Sequence, residues 1–183
     1  MKREDAQRFI EHLLALRERD RGALAALRHS LAFEPGDDPR AYPFVERFVG
    51  RDCHARDASR LALYAVAGLF AAHPVAHERP LAAALGQMLR DKERPSLELR
   101  FRSLLEADAD GAMAHLRQAV SLLAAEGMGY DHAALLMDLC VLLNDRAEPD
   151  WRDDIKRRWA RQFYRALQAD AEPDVPAAAA ILE

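Results

Sequence analysis

Cysteine, glycine and any long apolar run are all in short supply in this chain. Cys53 and Cys140 are the two cysteines among 183 residues. They lie far apart, and Cys140 sits inside "ALLMDLCVLL", where a small buried thiol fits better than a bridge, so disulfides do not staple this fold. With 8 glycines and no clustering of Val, Ile or Thr, strands are disfavoured and helices favoured. No run of about 18 apolar residues is present, which argues against a membrane-spanning helix. The start "MKREDAQRF" lacks the apolar core of a signal peptide, so a soluble, cytoplasmic protein is expected, with no membrane partner. A surplus of either charge is missing too. The formal net charge is −4, and from Ala169 onward Asp170, Glu172, Asp174 and Glu183 face no Lys or Arg, so the rest of the chain balances. That argues against a freely acting, strongly basic nucleic-acid binder. No repeat of fixed period is visible, which disfavours a solenoid.

What remains is rich in alanine and leucine, and half of it is hydrophobic; the reading is an all-α fold of about eight helices. Phe9, Ile10, Leu13, Leu14 and Leu16 predict an amphipathic helix over residues 4–18. Asp20 is a good N-cap for a second helix reaching about Ala32. "FEPGDDPRAYPF" breaks the helix through Pro35, Gly36, Pro39 and Pro43, and a short helical segment follows over residues 43–49. Asp57 or Ser59 caps "RLALYAVAGLFAAH", which is apolar almost all round and therefore central. Further helices are expected over residues 80–92, in "SLELRFRSLLEA", from Asp110 or Gly111 to Gly127, after Asp131, and from Asp150 through "WRDDIKRRWARQFYRALQ". A seam near residues 92–111 would divide an N-terminal helical unit (1–94) from a C-terminal antiparallel bundle of about four helices (95–170), followed by a flexible tail (171–183).

Catalytic signatures are also scarce. His54 beside Cys53, and His73 with His77 in "HPVAH", come nearest to metal-ligand spacing. Pro74 interrupts the latter pair and no HExxH glutamate follows, so no metal is assigned. Asp108, Asp110, Asp153 and Asp154 stand at helix starts, where they complement the helix dipole. There is no phosphate-binding glycine loop and no GxSxG, so neither catalysis nor a cofactor is expected.

Arginine gathers in three places instead: Arg17, Arg19, Arg21 and Arg28; Arg90, Lys92, Arg94, Arg100 and Arg102; and Arg152 to Arg165 of the last helix. There Arg157, Arg161 and Arg165 repeat every fourth position, opposite an apolar stripe of Trp151, Ile155, Trp159 and Phe163. Such an array suits phosphates. It also suits an ordinary solvated helix face, since Asp153 and Asp154 are spaced to pair with Arg157 and Glu98 with Arg102. Arg28 differs, because leucines crowd it and no acid lies within four residues; it either snorkels or awaits a partner.

In order, "DRGALAALRHSLAFEPGDDPRAYPFV", "LALYAVAGLFAAHP", "LAAALGQMLRDKERPSLELRFRSLLEAD", "MAHLRQAVSLLAAEG" and "KRRWARQFY" resemble the CasB family, the small subunit of Cascade, the type I-E CRISPR surveillance complex. The resemblance spans roughly Phe9 to Tyr164. It implies an all-helical, non-enzymatic protein that sits as two copies along the other Cascade subunits and helps hold target and displaced DNA strands as guide RNA invades. By motif it nominates Arg28 of "LAALRHS", Arg100 of "ELRFRSLLEAD" and Arg117 of "AHLRQA" as nucleic-acid contacts, with Arg21, Arg94, Arg102 and Arg157 behind them. Where the family often carries paired basic residues, this chain has Arg28-His29 and Leu99-Arg100, so weak binding alone and useful binding within the assembly are expected. Two competing readings are a helical adaptor whose arginines pair with an acidic protein, and a metal-dependent enzyme using His54, His73 or His77.

Overall fold

The computed structural model describes residues 1–92 and 95–169; Glu93, Arg94 and the expected tail fall outside the described residues. Nine α-helices occupy the described part: α1 (Arg3–Arg19), α2 (Arg21–Ser30), α3 (Tyr42–Val45), α4 (Ala58–Ala72), α5 (Leu81–Lys92), α6 (Pro95–Glu106), α7 (Ala109–Ala125), α8 (His132–Leu142) and α9 (Pro149–Gln168). The sole extended pairing among the described residues is one bridge between Ala76 and Tyr130. The fold is all-α.

Local chemistry explains most boundaries. The Asp20, Asp108 and Asp131 carboxylates accept from the backbone N–H groups of Ala23, Gly111 and Ala134, closing the starts of α2, α7 and α8. Three expectations shift, the first at α7, which starts at Ala109 behind the Asp108 cap and not at Asp110 or Gly111. The last helix begins at Pro149, one residue before Asp150, because proline's missing donor is harmless in a first turn. Asp57 precedes α4 without bonding the helix, accepting from the His54 N–H at 2.8 Å instead.

The apolar helix α4 lies at the centre, with every residue from Ala62 to Ala71 buried. It packs chiefly against α8 and α2, and α5 packs chiefly against α9. The expected seam thus has α5 on one side in close contact with α9 on the other. Both packings use glycine to bring backbones together. A Cβ on Gly68 would stand 2.7 Å from the Leu31 side chain, and one on Gly86 would stand 2.2 Å from the Phe163 carbonyl oxygen. Beneath that second contact the Phe101 and Phe163 rings stack at 4.1 Å, tying α6 to α9.

The proline loop after α2 is clamped back onto α4. Arg60, in the first turn of α4, is buried and lies over the rings of Tyr64 at 4.7 Å and Tyr42 at 5.5 Å, with the Glu46 carboxylate 3.6 Å away. Gly36 adopts a φ of +90° beneath it, and its carbonyl accepts from the Tyr42 hydroxyl at 2.9 Å. Asp38, also buried, accepts from Arg40 at 3.0 Å and faces His29 at 3.1 Å.

At its other end α4 stops at His73, whose Nε2 donates to the Met128 carbonyl at 2.8 Å, while His132 Nε2 reaches the His73 carbonyl at 3.2 Å. His132 is buried against the Tyr130 ring at 4.1 Å, and its Nδ1 has no partner among the described residues. Desolvation of this ring lowers its pKa to about 4.

The close α5–α9 approach and the buried His132 ring can each be tested in solution. Gly86→Ala should cost about 1–3 kcal/mol by forcing α5 away from α9, read as a lower urea midpoint. For His132, the unfolded ring takes up a proton near pH 6.5 and the folded ring only near pH 4. Its contribution is therefore complete above pH 6.5 and lost as pH falls towards 4, up to about 3 kcal/mol. Thermal melts across that range should show the fall, and a His132→Asn variant should show a shallower one.

Candidate nucleic-acid interface

Each helix sorts its arginines by where its own core residues point. In α6 the buried residues Leu97, Phe101 and Leu104 face inward, so positions 98 and 102 fall to one side of the helix and 100 to the other. On the first side Glu98 accepts from the Tyr164 hydroxyl of α9 at 2.9 Å. That hydrogen bond, with some burial, raises the Tyr164 phenol, and the nearby Arg102 charge opposes the rise. Arg100 occupies the other side, in a crevice bordered by His115, Gln118 and Leu122 of α7 and Met88 of α5. It is exposed and makes no hydrogen bond or ion pair among the described residues.

α9 divides in the same way. Ile155, Trp159 and Phe163 are buried while Arg157, Arg161 and Arg165 are exposed. Arg157 is held by Asp154 at 2.7 Å, a hydrogen bond that raises its pKa further. Arg161 and Arg165 have no such partner among the described residues. Lying three residues before and one residue after Tyr164, they border the side chain that reaches α6, beside Arg102. Arg102 of α6 and Arg161 and Arg165 of α9 are thus exposed guanidinium groups with no partner among the described residues. Motif position singled out Arg157; the carboxylate three residues before it is the signal that shifts emphasis to Arg161 and Arg165.

Arg28 has a partner that no local pattern could supply. Its Nε and Nη2 donate to the Ala71 carbonyl at 3.0 and 2.8 Å, at the end of α4. Arg117 does the same for α2, donating to the Leu31 carbonyl at 2.6 Å from a half-buried position on α7. Neither is paired with an acid among the described residues. A guanidinium carries five N–H donors, so Arg28, which remains exposed, keeps further donors outward. Arg21 is exposed and unpaired among the described residues, and at seven residues' spacing it shares a face of α2 with Arg28. On α7, residue 117 lies about 200° round the helix from residue 115, which borders Arg100. Arg28 and Arg117 are thus anchored to carbonyls at the ends of α4 and α2 respectively, whereas Arg100 stands across α7 from Arg117. Arg94 lies outside the described residues.

The metal candidates separate. His73 is buried against the Met128 carbonyl, and His77 accepts from the Arg79 N–H at 2.9 Å. Among the described residues no three His, Cys, Asp or Glu side chains gather as metal ligands. The thiols of Cys53 and Cys140 are free and half-buried, with burial pushing Cys140 up to about 11. No helix among the described residues is long and apolar enough to cross a membrane.

The described part is thus an all-helical body with several exposed guanidinium groups that have no partner among the described residues. Residues 23–164 match the family model described as CRISPR-associated protein Cse2, and the chain belongs to that family. It is 39 % identical over 170 residues to the Cse2 protein of Thermus thermophilus, covering 91 % of this chain and 94 % of that one. Among solved structures, CasB from Thermus thermophilus superposes with a TM-score of 0.72 at 39 % identity, covering 87 % of this chain and 97 % of that one. CasB from M. ruber gives 0.71 at 32 %, with coverages of 89 % and 94 %. A chain of a CRISPR RNA-guided surveillance complex gives 0.76 at 25 %, with coverages of 90 % and 94 %.

The carbonyl anchors separate two kinds of arginine in a stability measurement. Arg28→Ala and Arg117→Ala should each cost about 1–2 kcal/mol in urea unfolding, since each leaves a helix-terminal carbonyl without its charged donor. Arg100→Ala and Arg161→Ala should stay within about 0.5 kcal/mol of the parent.

Proposed function

We propose that this chain is the small, non-enzymatic subunit of a type I-E Cascade complex, acting in the cytoplasm and binding nucleic-acid backbone while guide RNA invades target DNA. The observation that carries the reading is the likeness over nine-tenths of the chain to a component of a CRISPR RNA-guided surveillance complex. Its partners are the other Cascade subunits, a second copy of itself, and the guide RNA and target DNA held by the assembly.

The mechanism follows from a near-balance. A guide–target heteroduplex is about as stable as the DNA duplex it replaces, so modest contacts to either strand tip the exchange. Guanidinium groups supply such contacts by displacing condensed counterions from phosphates, without reading bases. Arg100, Arg102, Arg161 and Arg165 are free to do this. Arg21 and the outward donors of Arg28 offer a second surface, and Arg94 and Arg157 join by sequence position. Arg117 contributes through the edge of its guanidinium left outside its bond to Leu31. With acids and bases nearly equal in number, the isolated chain binds weakly, and the assembly raises the local concentration of strand.

The adaptor alternative draws on the same exposed guanidinium groups, with a partner's carboxylates in place of phosphates. A salt series separates the two. With the assembled complex, replacing Arg100, Arg102 and Arg161 by Ala should lower R-loop yield several-fold at moderate salt. It should also flatten the dependence of log affinity on log salt by about 0.7–0.9 for each phosphate that is no longer neutralised. An unchanged yield and slope would sink the strand-binding role of these arginines.

A further inference from the structure

Trp151 departs from the stripe to which its spacing assigns it. Ile155, Trp159 and Phe163 recur every four residues along α9 and are buried. Trp151 continues the same stripe one turn earlier, yet it is 61 % exposed. The apolar face of α9 overshoots the core of its own chain. A large indole left standing in solvent is the arrangement of an anchor residue, because burying such a ring removes about 150–250 Å² from water.

The charge around Trp151 says what kind of surface can cover it. Asp145, Glu148, Asp150, Asp153 and Asp154 are all exposed. The nearby cations are largely engaged: Arg152 and Lys156 donate to the Ala147 and Ala107 carbonyls at 3.3 and 2.9 Å, Arg157 pairs with Asp154 and Arg158 with Asp138, while Arg146 stays exposed. Asp145, Glu148 and Asp150, unpaired among the described residues, repel phosphates, so a base stacked on the indole would bring its own backbone towards them. A protein surface with lysines and arginines around an apolar pocket satisfies both features.

We propose that the start of α9 is a protein-docking surface, occupied by a subunit that offers an apolar pocket for the Trp151 indole and a Lys/Arg rim for the surrounding carboxylates. The inference rests on the assembly role proposed above and adds the surface and the chemistry of the partner. It gives α9 two ends of opposite use: protein at its acidic start, and sugar-phosphate backbone along Arg161 and Arg165.

The test titrates the full chain into Cascade purified without its small subunit, with Kd read by biolayer interferometry. Trp151→Ala should weaken binding about tenfold or more. The double variant Asp150→Lys/Asp153→Lys should slow association, most at low salt. Neither should change binding of the isolated chain to a single-stranded DNA oligonucleotide by the factor seen with the assembly, and both should keep the parent's circular dichroism and melting temperature. Parent-like Kd in Trp151→Ala overturns the docking surface alone, as does tighter assembly binding on charge reversal. Loss of self-association in Trp151→Ala, read by analytical ultracentrifugation, would make the occupant a second copy and overturn the assignment. A parent chain that fails to join the assembly would overturn the proposed function and the docking inference together.

Discussion

The burial of α4 on every side is the constraint from which the outer surface follows. A helix whose residues from Ala62 to Ala71 are all enclosed sends no polar side chain of its own to its last carbonyls, and the four terminal C=O groups of any helix lack intrahelical partners. Here the nearest solution is a cation from a neighbour. Arg28 of α2 turns two donors onto the Ala71 carbonyl, which also places positive charge at the negative end of the helix dipole. Arg117 treats the end of α2 in the same way through Leu31. The leucine-crowded arginine of "LAALRHS" neither snorkels idly nor waits for an acid. It closes a helix.

That dual use changes what an arginine can contribute to a bound strand. A long, free guanidinium loses rotamer freedom when it settles on a phosphate, and that loss subtracts from affinity. One already held at two donors has surrendered the freedom during folding, so its remaining donors are aimed in advance. Arg28 belongs to this kind, whereas Arg102, Arg161 and Arg165 belong to the free kind. On the strand-binding reading proposed above, the former would set position and the latter would add salt-dependent attraction. A surface combining the two can guide a strand without holding it so tightly that exchange stalls.

The legible parts of the fold were those decided within a turn or two of chain. Asp20 and Asp131 as caps, the proline break after α2, and the central place of the alanine-rich α4 all follow from local rules, as does the pairing of Arg157 with Asp154. The proline loop was legible as a loop but not as a clamp, because Arg60, Tyr42, Tyr64 and Glu46 meet only when the loop folds back on α4. Arg117 and Leu31 are 86 residues apart, and no spacing announces such a contact. Trp151 misled for the opposite reason: its periodicity is perfect, but periodicity says which way a residue faces and not whether anything stands there. The partition of Arg100 from Arg102 could have been read from their two-residue offset, which sends side chains to opposed sides of a helix.

Under the proposed function, charge zoning is what would let a chain with near-equal acids and bases serve a polyanion. α9 is about 30 Å long, with carboxylates in its first turns and unpaired arginines in its second half, an order that the helix dipole favours. A uniformly basic helix would hold any DNA in any orientation, and most of its encounters would be unproductive. With acid at one end, the same helix repels backbone there and accepts it further along, so a strand has one register that it prefers. On the reading proposed here, the acidic end is then the natural place for a protein neighbour. The subunit that covers Trp151 determines where the arginines point, and the phosphates meet a surface already oriented towards them.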